Sequence, residues 1–220
     1  MTHPVHHPES EELLAYASGS SPEWVSLVVA CHLTYCPTCR DELELLEELG
    51  GTLLEMAPSS ALNSAAFDAV ELAARTALPS VPPVAARPKA ADVPALPRPL
   101  QPYFKDETLR WRFLVPGVKQ IPLTLSVGGI PARVVQFKPG FVVPDHTHQG
   151  LEMVLVLSGA LSDSKTGDIF HAGDLSRREE GSEHAQHITK DEPCVCLVVS
   201  SGPVRPQSFM GRVLKKMAGV

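Results

Sequence analysis

Residues 140–159 read GFVVPDHTHQGLEMVLVLSG. His146 and His148 stand two apart, so in an extended strand both side chains point to one face. Gln149-Gly150 is a turn signal, and the apolar run from Leu151 to Leu157 beyond it reads as the next strand. Glu152 on that strand faces the same interior as the two histidines, and Gly140 and Gly159 mark turns at either end. Two imidazoles and a carboxylate gathered on one interior face are donors for a divalent cation.

Outward from this hairpin the period of two continues. Short β-rich runs cover Thr108 to Val115, Gln120 to Val127, Ala132 to Phe137 and Cys194 to Ser200, with Gly, Pro, Asp or Ser between them. Many short strands at this spacing predict an antiparallel sandwich or barrel over 103–220. Gly173-Asp174 is a tight turn, and Gly181-Ser-Glu-His184 adds a further histidine. Strand parity puts His184 and His187 on opposite faces, and spacing selects His184 as the inward ligand. Three histidines and one glutamate suit Zn2+, Fe2+ or Mn2+. After Gly202, the residues Met210, Val213, Leu214 and Met217 read as a last short helix.

This half of the chain resembles the cupins, whose first motif, G-x5-H-x-H-x3-E-x6-G, residues 140–159 fit without a mismatch. The second motif is altered: Glu179 stands in place of the usual proline, and His187 in place of the common trailing asparagine. The resemblance implies a double-stranded β-helix, or jelly roll, holding a metal through His146, His148, Glu152 and His184.

Residues 78–102, LPSVPPVAARPKAADVPALPRPLQP, hold eight prolines. That density excludes a helix or a central strand and predicts an extended linker. Upstream, over 1–77, the period is helical. Glu9 to Ser18 forms a short helix ending at Gly19. Ser21-Pro22-Glu23 starts a second, with Ser21 as its cap and Pro22 in first position, and with Leu27, Val28, Cys31 and Leu33 on its apolar face. Pro37 opens a third helix carrying Leu43, Leu46, Leu49 and Leu53, with Gly50-Gly51 as a weak point. Asn63 or Ser64 caps a fourth, which includes Leu62, Ala66, Phe67, Val70 and Ala73 and runs to about Thr76. The fold class is thus α+β with two domains, an all-α domain followed by an all-β one.

His32-Leu-Thr-Tyr-Cys36-Pro-Thr-Cys39 straddles the start of the third helix. Cys-x2-Cys is the spacing of two thiolates on one tetrahedral zinc. The helix N-terminus favours thiolate there. His32, ending the second helix, reaches the same ion, and the fourth ligand comes from the N-terminal histidines, with His7 preferred over His6 and His3. A redox pair is the rival reading, but its usual βαβ setting is missing. Zinc would tie three helices into a domain too small to hold without a staple.

The net charge of −6 is unevenly placed. Residues 1–76 hold 12 acidic and 2 basic side chains, and the remainder is net basic. An acidic helical domain repels nucleic acid and suits a basic protein partner. No apolar stretch approaches a membrane span, and the start of the chain lacks a signal-peptide pattern, so a cytoplasmic protein is expected.

His32, Cys36 and Cys39 with an upstream histidine, and the LLAYASG run after His7, resemble the zinc-binding anti-sigma domain. Together with the cupin half, the chain is similar to the ChrR-type anti-sigma factors. That resemblance implies a one-to-one complex with an extracytoplasmic-function sigma factor, in which the helical domain hides surfaces used by RNA polymerase. It also implies release of sigma on oxidative stress of the singlet-oxygen type, sensed through the metal-binding cupin. The alternative is a cupin dioxygenase or isomerase with an accessory zinc domain.

Other residues read as structural. Cys194 and Cys196 share a strand face and are expected to pack, although they could react with oxidants. Cys31, Trp24 and Trp111 belong to the core, and His171 to a solvated turn. Phe67 and Val70 are expected on a face presented to sigma.

Overall fold

In the computed structural model, residues 3–61, 63, 65–76, 96–104, 110–125, 130–202 and 204–206 are described. The prolines of 78–95, the apolar Leu62, the cap candidate Ser64, Thr108 and the tail helix after Gly202 lie outside them.

The helical half has α1 (Ser10–Ala17), α2 (Glu23–Leu33), α3 (Pro37–Met56) and α4 (Ala66–Thr76). Glu12 reaches back to accept the backbone N–H of Glu9 at 3.0 Å, which closes the first turn of α1. Pro22 sits just before α2 rather than in its first position, and the Ser21 hydroxyl donates to the Pro22 carbonyl instead of capping an amide. Helix α3 runs through Gly50-Gly51, and the expected weak point does not interrupt it. A Cβ on either glycine would meet nothing within 4 Å. Gly50→Ala and Gly51→Ala are therefore expected to stabilise the chain by about 0.5–1 kcal/mol each, read from urea unfolding midpoints.

The β half is two face-to-face antiparallel sheets, the jelly-roll architecture. One has six strands in the order β1 (Arg112–Val115), β2 (Val118–Pro122), β3 (Ala132–Phe137), β10 (Cys194–Ser200), β5 (Glu152–Ser158) and β8 (Leu175–Arg178). The other has five, in the order β11 (Val204–Pro206), β4 (Val142–His148), β9 (Glu183–Ile188), β6 (Ala160–Asp163) and β7 (Ile169–His171). The first two strands are shorter than the sequence runs predict. Trp111 lies just before β1, not in it, and packs half-buried against the main core.

Alternation on β5 and β10 explains how the two halves meet. Val154, Val156, Cys194 and Cys196 face the barrel interior. Met153, Leu155, Leu157, Val195, Leu197 and Val199 point the other way and join a core with Leu13, Val28, Val29 and Cys31 of the helices. Both faces of these strands are covered, which is why their sequences are apolar throughout. Helix α2 is correspondingly buried nearly all round, from Val25 to Leu33, against the sheet and a 3-10 turn at Arg98–Tyr103. The three helices do not close on themselves: α1 buries only Leu13 and α3 only Cys39. Beyond Leu46, α3 is exposed, and α4 has no buried residue. Among the described residues no helix is long and apolar enough to cross a membrane.

Candidate metal centres

The first centre is assembled by a tight turn. The amides of Tyr35 and Cys36 both donate to the His32 carbonyl, which folds the end of α2 onto the start of α3. Cys36 caps α3, and its Sγ accepts the Cys39 amide at 3.4 Å. His7, in the segment before α1, brings Nδ1 to 3.4 Å from Cys36 Sγ and 3.3 Å from Cys39 Sγ. His32 Nε2 lies 3.3 Å from Cys39 Sγ. All four ligand atoms fall within 4.8 Å of one another. A tetrahedral ion with 2.0–2.3 Å bonds separates its ligand atoms by about 3.3–3.8 Å, so the donor set fits. Of the other N-terminal histidines, His6 stacks on Phe170 with ring centroids 4.3 Å apart, and His3 is exposed.

Burial dominates the protonation of Cys39 and His32. It pushes the Cys39 thiol up to about 12 and draws His32 down to about 4. A neutral His32 ring has one lone pair to offer. Its Nδ1 lies 2.8 Å from the Gly173 carbonyl, which can only accept, so the proton sits on Nδ1 and Nε2 is free for a metal.

The second centre lies between the sheets. In the β4–β9 pairing His146 stands directly opposite His184, and a bulge between Val143 and His146 precedes it. Within that bulge the Pro144 carbonyl takes the His146 Nδ1 at 2.8 Å, which leaves Nε2 to face inward. His148 Nε2 lies 2.7 Å from His184 Nε2 and 3.2 Å from Glu152 Oε2, and His184 Nε2 is 3.6 Å from the same oxygen. All four side chains are buried. His187 is exposed on the opposite face of β9, as parity predicts.

Burial lowers all three imidazoles, His148 to about 4 and His184 to about 3, and raises Glu152 to about 7. Neutral imidazoles aiming lone pairs at one point repel each other, and a cation at that point reverses the sign. The donor set therefore fits a divalent metal.

Residues not singled out from the sequence surround this centre. Asp163, fully buried, receives Arg178 at 2.7 Å and lies 3.8 Å from His184 Nδ1. Its signal was weak: Ser162-Asp163-Ser164 reads as an ordinary turn. Cys194 and Cys196 are buried with their sulfurs 3.5 Å apart. The hydrogen bond with Cys194, and burial after it, hold the Cys196 thiol well above its ordinary value, so it is not a ready nucleophile. Cys31 is buried in the core, Trp24 packs half-buried against it, and His171 is exposed.

Known proteins bear out this two-part layout. A family model described as the ChrR cupin-like domain matches residues 101–205. The chain is 35% identical over 212 residues to the anti-sigma-E factor ChrR of Cereibacter sphaeroides, covering 96% of each. It also superposes with a TM-score of 0.71 on a chain from the crystal structure of Rhodobacter sphaeroides SigE in complex with the anti-sigma ChrR. That match covers 90% of this chain and 99% of the other, again at 35% identity. At this identity over nearly its full length, the chain belongs to the ChrR family of anti-sigma factors.

Proposed function

We propose that this protein is a cytoplasmic anti-sigma factor that holds an extracytoplasmic-function sigma factor in a one-to-one complex. Its helical part, 1–77, is the sigma-binding unit, organised by Zn2+ on His7, His32, Cys36 and Cys39. The barrel, 103–220, senses oxidative stress of the singlet-oxygen type through a divalent metal on His146, His148, Glu152 and His184. The segment 78–102 joins the two. Thiolate-rich tetrahedral donors favour zinc at the first site, and the imidazole-carboxylate set accepts Zn2+, Fe2+ or Mn2+ at the second.

One observation carries the reading. Leu45, Leu49, Leu53, Leu54 and Met56 of α3, with Phe67, Val70 and Leu72 of α4, are all 53–77% exposed. Eight large apolar side chains in water on two helices mark a surface made to be covered. They alternate with Glu44, Glu47, Glu48, Glu55, Asp68 and Glu71, which suit a basic partner. Family membership speaks against the dioxygenase or isomerase reading.

Co-purification with the sigma factor tests it. Leu49→Asp with Phe67→Asp is expected to weaken capture at least 100-fold at an unchanged melting temperature, because both positions are solvent-exposed in the free chain. His146→Ala is expected to keep capture and lose release by oxidant. Full capture by the double aspartate variant would remove α3 and α4 as the sigma surface.

A further inference from the structure

The first centre is built against one turn of the barrel. Besides the bond from His32 to the Gly173 carbonyl, the next residue, Asp174, is buried and holds the segment that carries His7. Its Oδ1 accepts the backbone N–H of Val5 at 2.7 Å and of His6 at 2.9 Å. Its Oδ2 accepts the His171 amide at 2.8 Å, and the Leu175 amide returns to the His6 carbonyl at 3.0 Å. Arg177 then pairs with Glu12 at 3.1 Å and Glu9 at 3.2 Å, at the start of α1. The approach is close enough to require glycine. Gly173 has φ +97°, and a Cβ there would lie 2.7 Å from both Pro4 and Tyr35.

We infer that the barrel turn 173–177 is the outer shell of the N-terminal metal centre. Gly173 sets the tautomer of His32, while Asp174 and Arg177 position the segment that delivers His7. Docking to the barrel thus strengthens retention of the metal in the helical unit. Outer partners of this kind typically govern metal affinity by 10–100-fold. The same strand reaches the other centre. Alternation along β8 sends Arg177 to the helices and Arg178 to Asp163, beside His184. A displacement of β8 at the barrel site is therefore felt at the helical one. The inference rests on the reading that His7, His32, Cys36 and Cys39 bind a metal.

The test loads the full chain with Co2+ and follows the thiolate-to-cobalt charge-transfer band during chelation by excess EDTA. Only the first centre has sulfur ligands, so the band reports that site alone. Asp174→Asn, which turns acceptors toward donors, and Arg177→Ala are each expected to speed loss of the band by about 10-fold or more. Lys119→Ala, at an exposed position of β2, is expected to leave it unchanged. Should Asp174→Asn fail to fold by circular dichroism, Arg177→Ala decides, since it leaves the turn's own hydrogen bonds intact. Wild-type release rates in the folded variants overturn the inference, and sigma capture measured on the same samples would still stand. Absence of a thiolate band in the wild type would overturn the ligand set itself.

Discussion

Cys36→Ala is expected to abolish sigma capture and to unfold α1 and α3 while sparing the barrel. A structural zinc of this kind contributes on the order of 10 kcal/mol to folding, as much as the whole stability of many domains. These two helices bury only Leu13 and Cys39 fully, and their remaining hold is the half-buried Tyr16, Leu43 and Leu46 and the pairing of Arg177 with Glu12. Helix α2 differs, because its apolar surface is spread against the sheet. Hydrogen exchange should show protection lost over 10–17 and 37–56 and kept over 152–158 and 194–200. A variant that keeps wild-type protection in α3 and still captures sigma would remove the metal from the account of the helical unit.

Asp163→Ala is expected to destabilise the barrel by about 3 kcal/mol, the usual consequence of leaving a buried cation without its partner. Arg178 is mostly buried and its Nε already has no hydrogen-bond partner among the described residues, so the guanidinium relies on this carboxylate. Burial alone would raise the Asp163 pKa. The Lys165 amide and the Arg178 guanidinium outweigh it, and the net value lies below the ordinary 3.8. The folded carboxylate is thus favoured: its stabilisation is intact above that ordinary value and is lost as pH falls through the lower folded one. Adding Arg178→Met to Asp163→Ala should recover most of the loss in urea unfolding. If the single variant unfolds like wild type, the pair is dispensable.

Much of the candidate site was legible because local rules place it. Alternation puts His146 and His148 on one face, parity separates His184 from His187, and a helix start between Cys36 and Cys39 brings their sulfurs together. The structure also gathers His7, rather than His6 or His3, with those sulfurs. What stayed hidden is contact between parts distant in sequence. The prolines predicted an extended linker between two domains, whereas the helices share a core with the sheet. A clue was present in residues 151–157 and 194–199, LEMVLVL and CVCLVV, which are apolar at nearly every position. A sheet with one wet face would have alternated, so these runs signal cover on both faces. Asp174 and Arg177 gave no such clue, since charged residues near turns are ordinarily solvated. The run of α3 past its two glycines was legible, because Leu49 and Leu53 keep the helical spacing across them.

Beyond Leu46, α3 projects as an exposed spar of ten residues, 47–56, rooted where Leu43 and Leu46 pack against the core. At 1.5 Å per residue it reaches about 15 Å, so a tilt of about 10° at its base swings Met56 through about 3 Å. A sub-ångström adjustment where the spar is rooted is thereby magnified into a misfit along its leucine edge, and release of a bound protein needs no unfolding of its captor.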